Sequence, residues 1–449
     1  MSKKSGLQIK RLAALAVLIL LTVTLIPALA LPLSAADATP PTPPAVSGGE
    51  AIVLYDKTHG RYLVELNGAD MLHTSTSAKI MTGLLACELL ADRTQETVAI
   101  TEEMLSAVAG YNMKLQAGEQ IKIIDLLYGA ICGSYNDAAY ALAHLCGGST
   151  DGFVALMNEK ALSLGAKATV YTNPLGYPDS AGMITTAYDT LKIALAASEN
   201  PLYMEISSAV KYTASTTNRS DARQFYNRNY LISSAADPRY YNASCAGMNA
   251  GYSGEAGGWS VVTLAHDDGA DYICVLLGGK ENEDGSRIYA YESVNTLVNW
   301  AKKTYNLYTV FPEGAQLGTT EIGLTSLAEN DAPYITASAL EVYVPTTVSG
   351  SLSYSIDIDE DLKAPLSAGD EIGRVTVTSY GEIVGTCPLL LKEDYEVNGV
   401  MLVIDRIGAY TKSRAFVATI VCFVLLLAGT LLYRRLTRYE SHGRYTRKM

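Results

Sequence analysis

Two long apolar segments, one at each end of the chain, restrict its possible architecture more than any other feature. The first occupies residues 12–30, follows a short basic start, and ends in Ala28-Leu29-Ala30. A basic start, an apolar run and small residues at the end are typical of a cleaved export signal, here predicted over residues 1–30. An anchor helix that is not cleaved is the alternative, because the apolar run is long for a signal.

The second apolar segment covers residues 415–433, contains no charged residue, and is long enough to cross a bilayer core of about 30 Å. Residues 434–449 follow with six Arg or Lys against one acid, Glu440. Basic flanks of a membrane span remain in the cytoplasm. We therefore predict a single-pass protein of the cell membrane, with its folded domains outside the cytoplasm. A buried core helix is the alternative, but it would not account for the basic tail.

The composition of the 449-residue chain excludes some classes of partner and cofactor. Its net charge of -12 argues against nucleic acid as the main partner. The seven Cys form no CxxC pair, and the five His form no HExxH or paired-ligand pattern. We therefore predict no metal site and no cofactor.

The sequence between the two apolar segments divides into a linker and two domains. Residues 31–49 are predicted as a linker because Pro, Ala and Thr dominate residues 37–49. Residues 50–305 open with two short strand patterns, continue with several amphipathic helices, and close with a hairpin around Asp267-Asp268-Gly269. This order predicts two-layer α/β or α+β packing, in which a cluster of helices is inserted between the early and late strands of a mostly antiparallel sheet. Apolar residues alternate over residues 306–408, which predicts a small β-rich domain.

Three places in the first domain carry residue types suited to chemistry. Thr76 and Lys79 are three residues apart at the start of a predicted helix, about 300° around it, so they share a face. A hydroxyl beside a desolvated amine is one way to activate a weak nucleophile. An ordinary helix cap with an exposed lysine is the alternative, and Ser75 would need a shift of the helix start to take the same role.

The second place is Ser134 and Asn136, which precede a predicted helix and can face one cleft from a loop. An ordinary helix N-cap is the alternative. The third is Asn249-Ala250-Gly251, on a predicted strand, where small residues let the backbone of a ligand approach. A plain glycine turn is the alternative there.

Taken together and in this order, these sites and the sequence around them resemble the low-molecular-weight penicillin-binding proteins, the serine-type D-Ala-D-Ala carboxypeptidases. The resemblance covers most of the exported chain and includes residues 113–119, 125–129, 134–139, 158–161, 164–165, 173–176, 227–231, 362–365 and 368–369. It implies a penicillin-binding transpeptidase-like domain followed by a β domain and a membrane anchor. It also implies peptidoglycan stem peptides as substrate and β-lactams as acylating inhibitors, with Ser-x-x-Lys, Ser-x-Asn and Lys-Thr-Gly motifs in the site.

Relative to those motifs, this chain departs at the nucleophile and at the substrate-binding strand. Thr76 stands where the family has its serine, while Lys79, Ser134 and Asn136 are kept. The third motif reads Asn249-Ala250-Gly251, without the lysine and threonine of the family. The loss of a charge-assisted contact to a carboxylate costs about 1.5–3 kcal/mol. We therefore expect binding with weak or lost hydrolysis. The alternative is an active carboxypeptidase that forms its acyl-enzyme on Thr76.

Overall fold

The structure, a computed structural model, describes residues 41–106, 108–176, 182–326, 331–348 and 352–443. The predicted signal, most of the linker and the end of the basic tail lie outside these residues. The described chain forms two compact units: one runs to Leu307 and includes Tyr343–Ser349, and the other holds Tyr308–Val342 and the residues from Gly350 onwards. The residue limits predicted for the domains stay predictions.

The first unit is built on a five-stranded antiparallel sheet with the strand order β2-β1-β11-β10-β9. The strands of this unit are β1 (Ala51–Asp56), β2 (Arg61–Leu66), β3 (Leu72–His73), β4 (Thr97–Ala99), β5 (Gln120–Lys122), β6 (Ile184–Thr185), β7 (Lys211–Thr213), β8 (Gln224–Tyr226), β9 (Cys245–Tyr252), β10 (Trp259–Asp267) and β11 (Ala270–Gly279). The short strands outside the main sheet pair as β3-β6, β4-β5 and β7-β8.

Helices cover both faces of the main sheet, which explains why β1 is apolar on both sides. Ala51 and Val53 pack into a core with the helical cluster, while Ile52 and Leu54 pack on the opposite face, in the core that also contains Leu297. The helices are α1 (Ala78–Leu90), α2 (Glu102–Leu105), α3 (Ile123–Ile131), α4 (Asn136–Gly147), α5 (Thr150–Ser163), α6 (Ala187–Ser198), α7 (Pro201–Ser208), α8 (Gly254–Gly257) and α9 (Tyr289–Thr304). The predicted α+β class, with helices inserted between the early and late strands, is confirmed.

The second unit contains a five-stranded antiparallel sheet with the order β13-β14-β18-β17-β16. Val375 and Val377 are buried on β17 while Arg374 is exposed, as the alternation in the sequence predicts. The strands from Tyr305 onwards are β12 (Tyr305–Phe311), β13 (Gln316–Glu321), β14 (Asp331–Thr336), β15 (Leu340–Pro345), β16 (Ser353–Ile358), β17 (Glu371–Ser379) and β18 (Glu382–Leu391). A β-rich domain therefore follows the first domain, as expected.

Two helices end the described chain: α10 (Gly399–Thr411) and α11 (Arg414–Gly443). The first lies largely within residues 306–408, the range predicted for the β-rich domain, and follows the last strand of that domain. The helix starts there because the side chain of Asn398 caps it by accepting hydrogen bonds from the backbone amides of Val400 and Met401. Within α11, the 22 residues of Arg414–Arg435 are apolar enough and long enough to cross a membrane, and none of this stretch is buried in the protein.

Candidate active site

Lys79 is the centre of a buried polar cluster at the start of α1. A 3₁₀ turn over Ser75–Ser77 leads directly into the helix, which places Lys79 in its first turn. The lysine is 6% exposed. Its Nζ atom lies 2.6 Å from Ser134 O, 3.0 Å from Ser134 Oγ and 2.8 Å from Asn136 Oδ1. Three of the four residues predicted to share this pocket, Lys79, Ser134 and Asn136, are therefore in direct contact.

The loop between α3 and α4 is held in a conformation that presents Ser134 and Asn136 to the lysine. Ser134 adopts the left-handed backbone region, with φ of 57°, which residues other than glycine rarely occupy. Asn136 is the first residue of α4, and its Nδ2 atom donates to Ala109 O at 2.6 Å. The buried carboxylate of Asp137 accepts hydrogen bonds from the backbone amides of Met113 and Leu115. The helix start therefore organises both the loop and the neighbouring wall of the cleft.

The hydroxyl of Thr76 is directed at the sheet. Its Oγ1 atom lies 2.8 Å from Ser260 Oγ on β10 and donates to Asn249 Oδ1 at 3.3 Å on β9. Within the described residues, no hydrogen bond joins Thr76 Oγ1 to Lys79 Nζ. Thr76 thus occupies the predicted pocket, but the expected hydroxyl–amine pair is not formed there.

The third motif forms the opposite wall. Gly251 and Ala250 lie on β9, in register with Ser260 and Val261 on β10. A Cβ atom added at Gly251 would stand 2.8 Å from Thr76 Oγ1 and 2.9 Å from its Cγ2. The absence of a side chain at position 251 therefore permits the close approach of β9 to the start of α1.

These residues surround one small cavity. It has a volume of about 120 Å³ and is lined by Thr76, Lys79, Tyr111, Ser134, Asn136, Leu175, Arg228, Ala250, Gly251 and Tyr252. Six of the seven predicted site residues therefore line the cavity, and the seventh, Asn249, is hydrogen-bonded to Thr76. Their catalytic and binding roles stay predictions. Across the described residues, no group of three or more His, Cys, Asp or Glu is placed to hold a metal ion.

Arg228 is a cleft residue that sequence reasoning did not select. Its guanidinium carbon lies 4.9 Å from the ring centroid of Tyr111, and the described residues offer it no ion pair. The flanking asparagines fix its backbone: Asn227 donates to Ser207 O and Ala209 O, and Asn229 donates to Gly247 O on β9. A cation therefore lines the cleft although residue 249, on the facing strand, is an asparagine. The sequence feature that could have indicated Arg228 is its position between the two asparagines of residues 227–231.

The surroundings of Lys79 favour the neutral amine. The pKa of Lys79 is lowered from its usual value to about 7, mainly by burial and secondly by the positive charge of Arg228, while Asp137 opposes the shift. An amine with a pKa near neutrality can accept a proton from a neighbouring hydroxyl. The amine of Lys79 is therefore suited to act as a base, and Ser134 Oγ is the hydroxyl it contacts.

Ser75, the other hydroxyl at the helix start, is directed away from the cleft. Its Oγ atom donates to Ser253 Oγ at 3.0 Å and to Gly258 O at 3.2 Å, and the residue is completely buried. The start of the helix therefore offers no support for Ser75 as a nucleophile.

Four features of this chain define the penicillin-binding class of fold. They are a helical cluster inserted into an antiparallel sheet, a lysine at the start of α1, a Ser-x-Asn loop and a facing strand edge. Residues 37–281 match the family described as D-alanyl-D-alanine carboxypeptidase, and residues 305–397 match the C-terminal domain of penicillin-binding protein 5. The chain belongs to the D-alanyl-D-alanine carboxypeptidase family.

Curated relatives and solved structures agree with this assignment over most of the chain. D-alanyl-D-alanine carboxypeptidase DacF of Bacillus subtilis (strain 168) is 25% identical over 81% of this chain and 90% of its own length. The DacC enzyme of Escherichia coli (strain K12) is 28% identical over 78% and 84%. The fold resembles penicillin-binding protein 5 of Haemophilus influenzae, with a TM-score of 0.58, 22% identity, and coverage of 79% and 99%. It also resembles PBP3 of Streptococcus pneumoniae, titled a peptidoglycan synthesis regulatory factor, with a TM-score of 0.60, 18% identity, and coverage of 78% and 100%.

Proposed function

We propose that this protein is a membrane-anchored member of its family that binds peptidoglycan stem peptides, with hydrolysis through Thr76 weak or lost. The observation that carries the proposal is the direction of the Thr76 hydroxyl. A nucleophile needs its proton acceptor within hydrogen-bond reach. Thr76 Oγ1 instead makes its hydrogen bonds to Ser260 and Asn249. Misplacement of a reacting atom by about 1 Å can reduce a rate by about 100-fold.

Binding has a separate basis, which is the guanidinium of Arg228. A stem peptide that ends in D-Ala presents a carboxylate, and an arginine without an ion-pair partner in the described residues suits it. Asn249, Ala250 and Gly251 form the strand edge along which the peptide backbone lies. β-Lactams, which carry a carboxylate of their own, are proposed to enter the same cleft.

Membrane anchoring is proposed for α11. Its apolar stretch is followed by arginines, including Arg434 and Arg435, which favour the cytoplasmic side of a membrane. The two folded units then lie outside the cytoplasm, where stem peptides are found. The signal predicted over residues 1–30 would direct the chain there.

The second candidate function is an active carboxypeptidase with Thr76 as nucleophile. The low pKa of Lys79, together with Ser134 and Asn136 in contact with it, favours this alternative. Rotation about χ1 of Thr76 would be required to bring its oxygen towards the amine.

The full-length protein in detergent tests both candidates with one stem-peptide analogue that ends in D-Ala-D-Ala. Calorimetry measures binding, and an assay for free D-Ala measures hydrolysis. We expect binding with little or no release of D-Ala. Rapid release that is abolished in Thr76→Ala would establish the active enzyme and reject the proposal. Absence of any binding would reject both functions.

A further inference from the structure

Lys79 touches one hydroxyl in the described part of the chain, and that hydroxyl belongs to Ser134. Among the described residues, Ser134 Oγ has Lys79 Nζ, 3.0 Å away, as its hydrogen-bond partner. Thr76 Oγ1 is occupied by Ser260 and Asn249. The geometry therefore separates the residue at the family's nucleophile position from the base, and leaves a different hydroxyl beside the base.

The hydrogen bonds around Lys79 Nζ also indicate where its lone pair lies when the amine is neutral. Two of its three neighbours, Ser134 O and Asn136 Oδ1, are carbonyl oxygens that only accept hydrogen bonds. The amide of Asn136 is oriented independently, because its Nδ2 atom donates to Ala109 O. The two N–H bonds of a neutral amine therefore point to these oxygens. The third position on the nitrogen faces Ser134 Oγ: the ammonium donates a hydrogen bond to that oxygen, and the neutral amine has its lone pair there.

Ser134 is also reachable from the cleft. It is 7% exposed and lines the cavity together with Arg228 and Gly251. Its left-handed backbone, at φ of 57°, is the kind of sparsely populated conformation that is concentrated at functional sites. An acyl group that enters along β9 would meet this hydroxyl in a cavity that is also lined by the guanidinium of Arg228.

We propose that Ser134 and Lys79 form a second nucleophile–base pair, and that covalent acylation of this protein occurs on Ser134. Ser134 Oγ bonds to the carbonyl carbon of an amide, such as a β-lactam ring or a D-Ala-D-Ala peptide, and its proton passes to Lys79 Nζ. When the carbonyl–nitrogen bond breaks, Lys79 returns that proton to the leaving nitrogen. An ester on Ser134 results, and water later hydrolyses it with Lys79 as base. Serine–lysine pairs are an established type of acyl-transfer site.

This inference rests on the proposed function, since it requires that acyl donors bind in the cleft. It deepens that function by naming the atom through which slow turnover or labelling would proceed. Because the ester is located chemically, acylation on Ser134 is distinguishable from acylation on Thr76.

The experiment exposes the full-length protein in detergent to a fluorescent penicillin, followed by trypsin digestion and mass spectrometry. Cleavage after Lys and Arg places Thr76 in the peptide of residues 62–79 and Ser134 in that of residues 123–160. We expect the acyl group in the second peptide, on Ser134. We also expect the initial labelling rate to rise about tenfold between pH 6 and pH 8, as Lys79 loses its proton.

The matched variants are Ser134→Gly, which removes the hydroxyl while tolerating a positive φ, and Ser163→Ala, which alters an exposed serine on α5. Labelling should be lost in the first and unchanged in the second. An ester on Thr76, or full labelling of a folded Ser134→Gly variant, overturns the inference. If the stem-peptide analogue binds but penicillin acylates neither residue, the inference fails and the proposed binding function stands. If nothing binds, both fail.

Discussion

Thr76 Oγ1 lies 2.8 Å from Ser260 Oγ, a completely buried hydroxyl on β10. This hydrogen bond ties the residue at the nucleophile position to the sheet. Asn249 adds to the arrangement by accepting a hydrogen bond from the same hydroxyl, and the resemblance places Asn249 at the position of the lysine in the family's third motif. Positions 76 and 249, where the resemblance implies departures from the family motifs, are therefore joined by one hydrogen bond, and the Thr76 hydroxyl is directed away from Lys79.

Restoration of the family motifs should reverse this arrangement. In the triple variant Thr76→Ser, Asn249→Lys and Ala250→Thr, the methyl group and the amide acceptor are gone and a cation returns to β9. A charge-assisted contact is worth about 1.5–3 kcal/mol, so penicillin labelling at residue 76 should be about 10- to 150-fold faster than in Thr76→Ser alone. Mass spectrometry of the peptide that contains residue 76 measures it.

Thr76→Ser alone is the control for the triple variant. It keeps Asn249 and Ser260, so its gain at residue 76 should be much smaller. If the triple variant labels residue 76 no faster than the natural chain, the altered motifs are not what limits acylation there.

Arg228 should determine the affinity for ligands that carry a free carboxylate. Arg228→Gln removes the cation, so binding of an analogue that ends in D-Ala-D-Ala should weaken by about 10- to 100-fold. Calorimetry on the full-length protein gives the dissociation constants. The C-terminal amide of the same peptide is the matched ligand and should bind both proteins equally. Equal weakening for acid and amide would mean that Arg228 acts on the shape of the cleft and not through its charge.

Local patterns in the sequence indicated where Lys79 and the pair Ser134 and Asn136 stand relative to helix starts. Helix α1 begins in the register that places Lys79 inward, and the Ser-x-Asn loop starts a helix whose first residue is Asn136. Both features follow from periodicity and from residues that favour helix starts. The resemblance to the family then supplied the expectation that the two places meet.

The direction of the Thr76 hydroxyl and the role of Arg228 were not predictable in the same way. The partner of Thr76 is Ser260, 184 positions further along the chain, and no local pattern indicates which hydroxyls will meet. Arg228 is one charged residue in a polar segment, and its place in the cleft depends on bonds from Asn227 and Asn229 to distant carbonyl groups. Tertiary contacts decided both features.

Lys79 should make the stability of the protein depend on pH. Its pKa is lowered on folding to about 7, so between about pH 7 and pH 10 the unfolded chain binds more protons than the folded one. Stability from this group therefore rises with pH across that window, by at most about 1.4 kcal/mol per pH unit, and the full penalty remains below pH 7. Lys79→Met has no titrating group at this position, so its stability lacks this pH dependence. The difference in unfolding free energy between the natural chain and this variant should move in favour of the natural chain from pH 7 to pH 9.

Denaturant unfolding at pH 7, 8 and 9 gives that difference, and subtraction cancels the other titrating groups. Lys303→Met, which replaces an exposed lysine on α9, is the matched control and should show a constant difference. A difference for Lys79→Met that does not change with pH would show that Lys79 stays protonated in the folded protein.

Gly251 should be intolerant of any side chain because of its distance from Thr76. In Gly251→Ala the new Cβ would stand 2.8 Å from Thr76 Oγ1 and 2.9 Å from Cγ2, and the bond to Ser260 limits how far Thr76 can move. Overpacking of this kind costs about 1–3 kcal/mol, so the melting temperature should fall. Gly399→Ala is the matched control, since a Cβ there meets no atom within 4 Å and the first turn of α10 accepts alanine. Thr76→Ser removes Cγ2 and should recover part of the loss in the double variant. If the changes in melting temperature from the two substitutions are purely additive, the side chains at positions 76 and 251 do not clash.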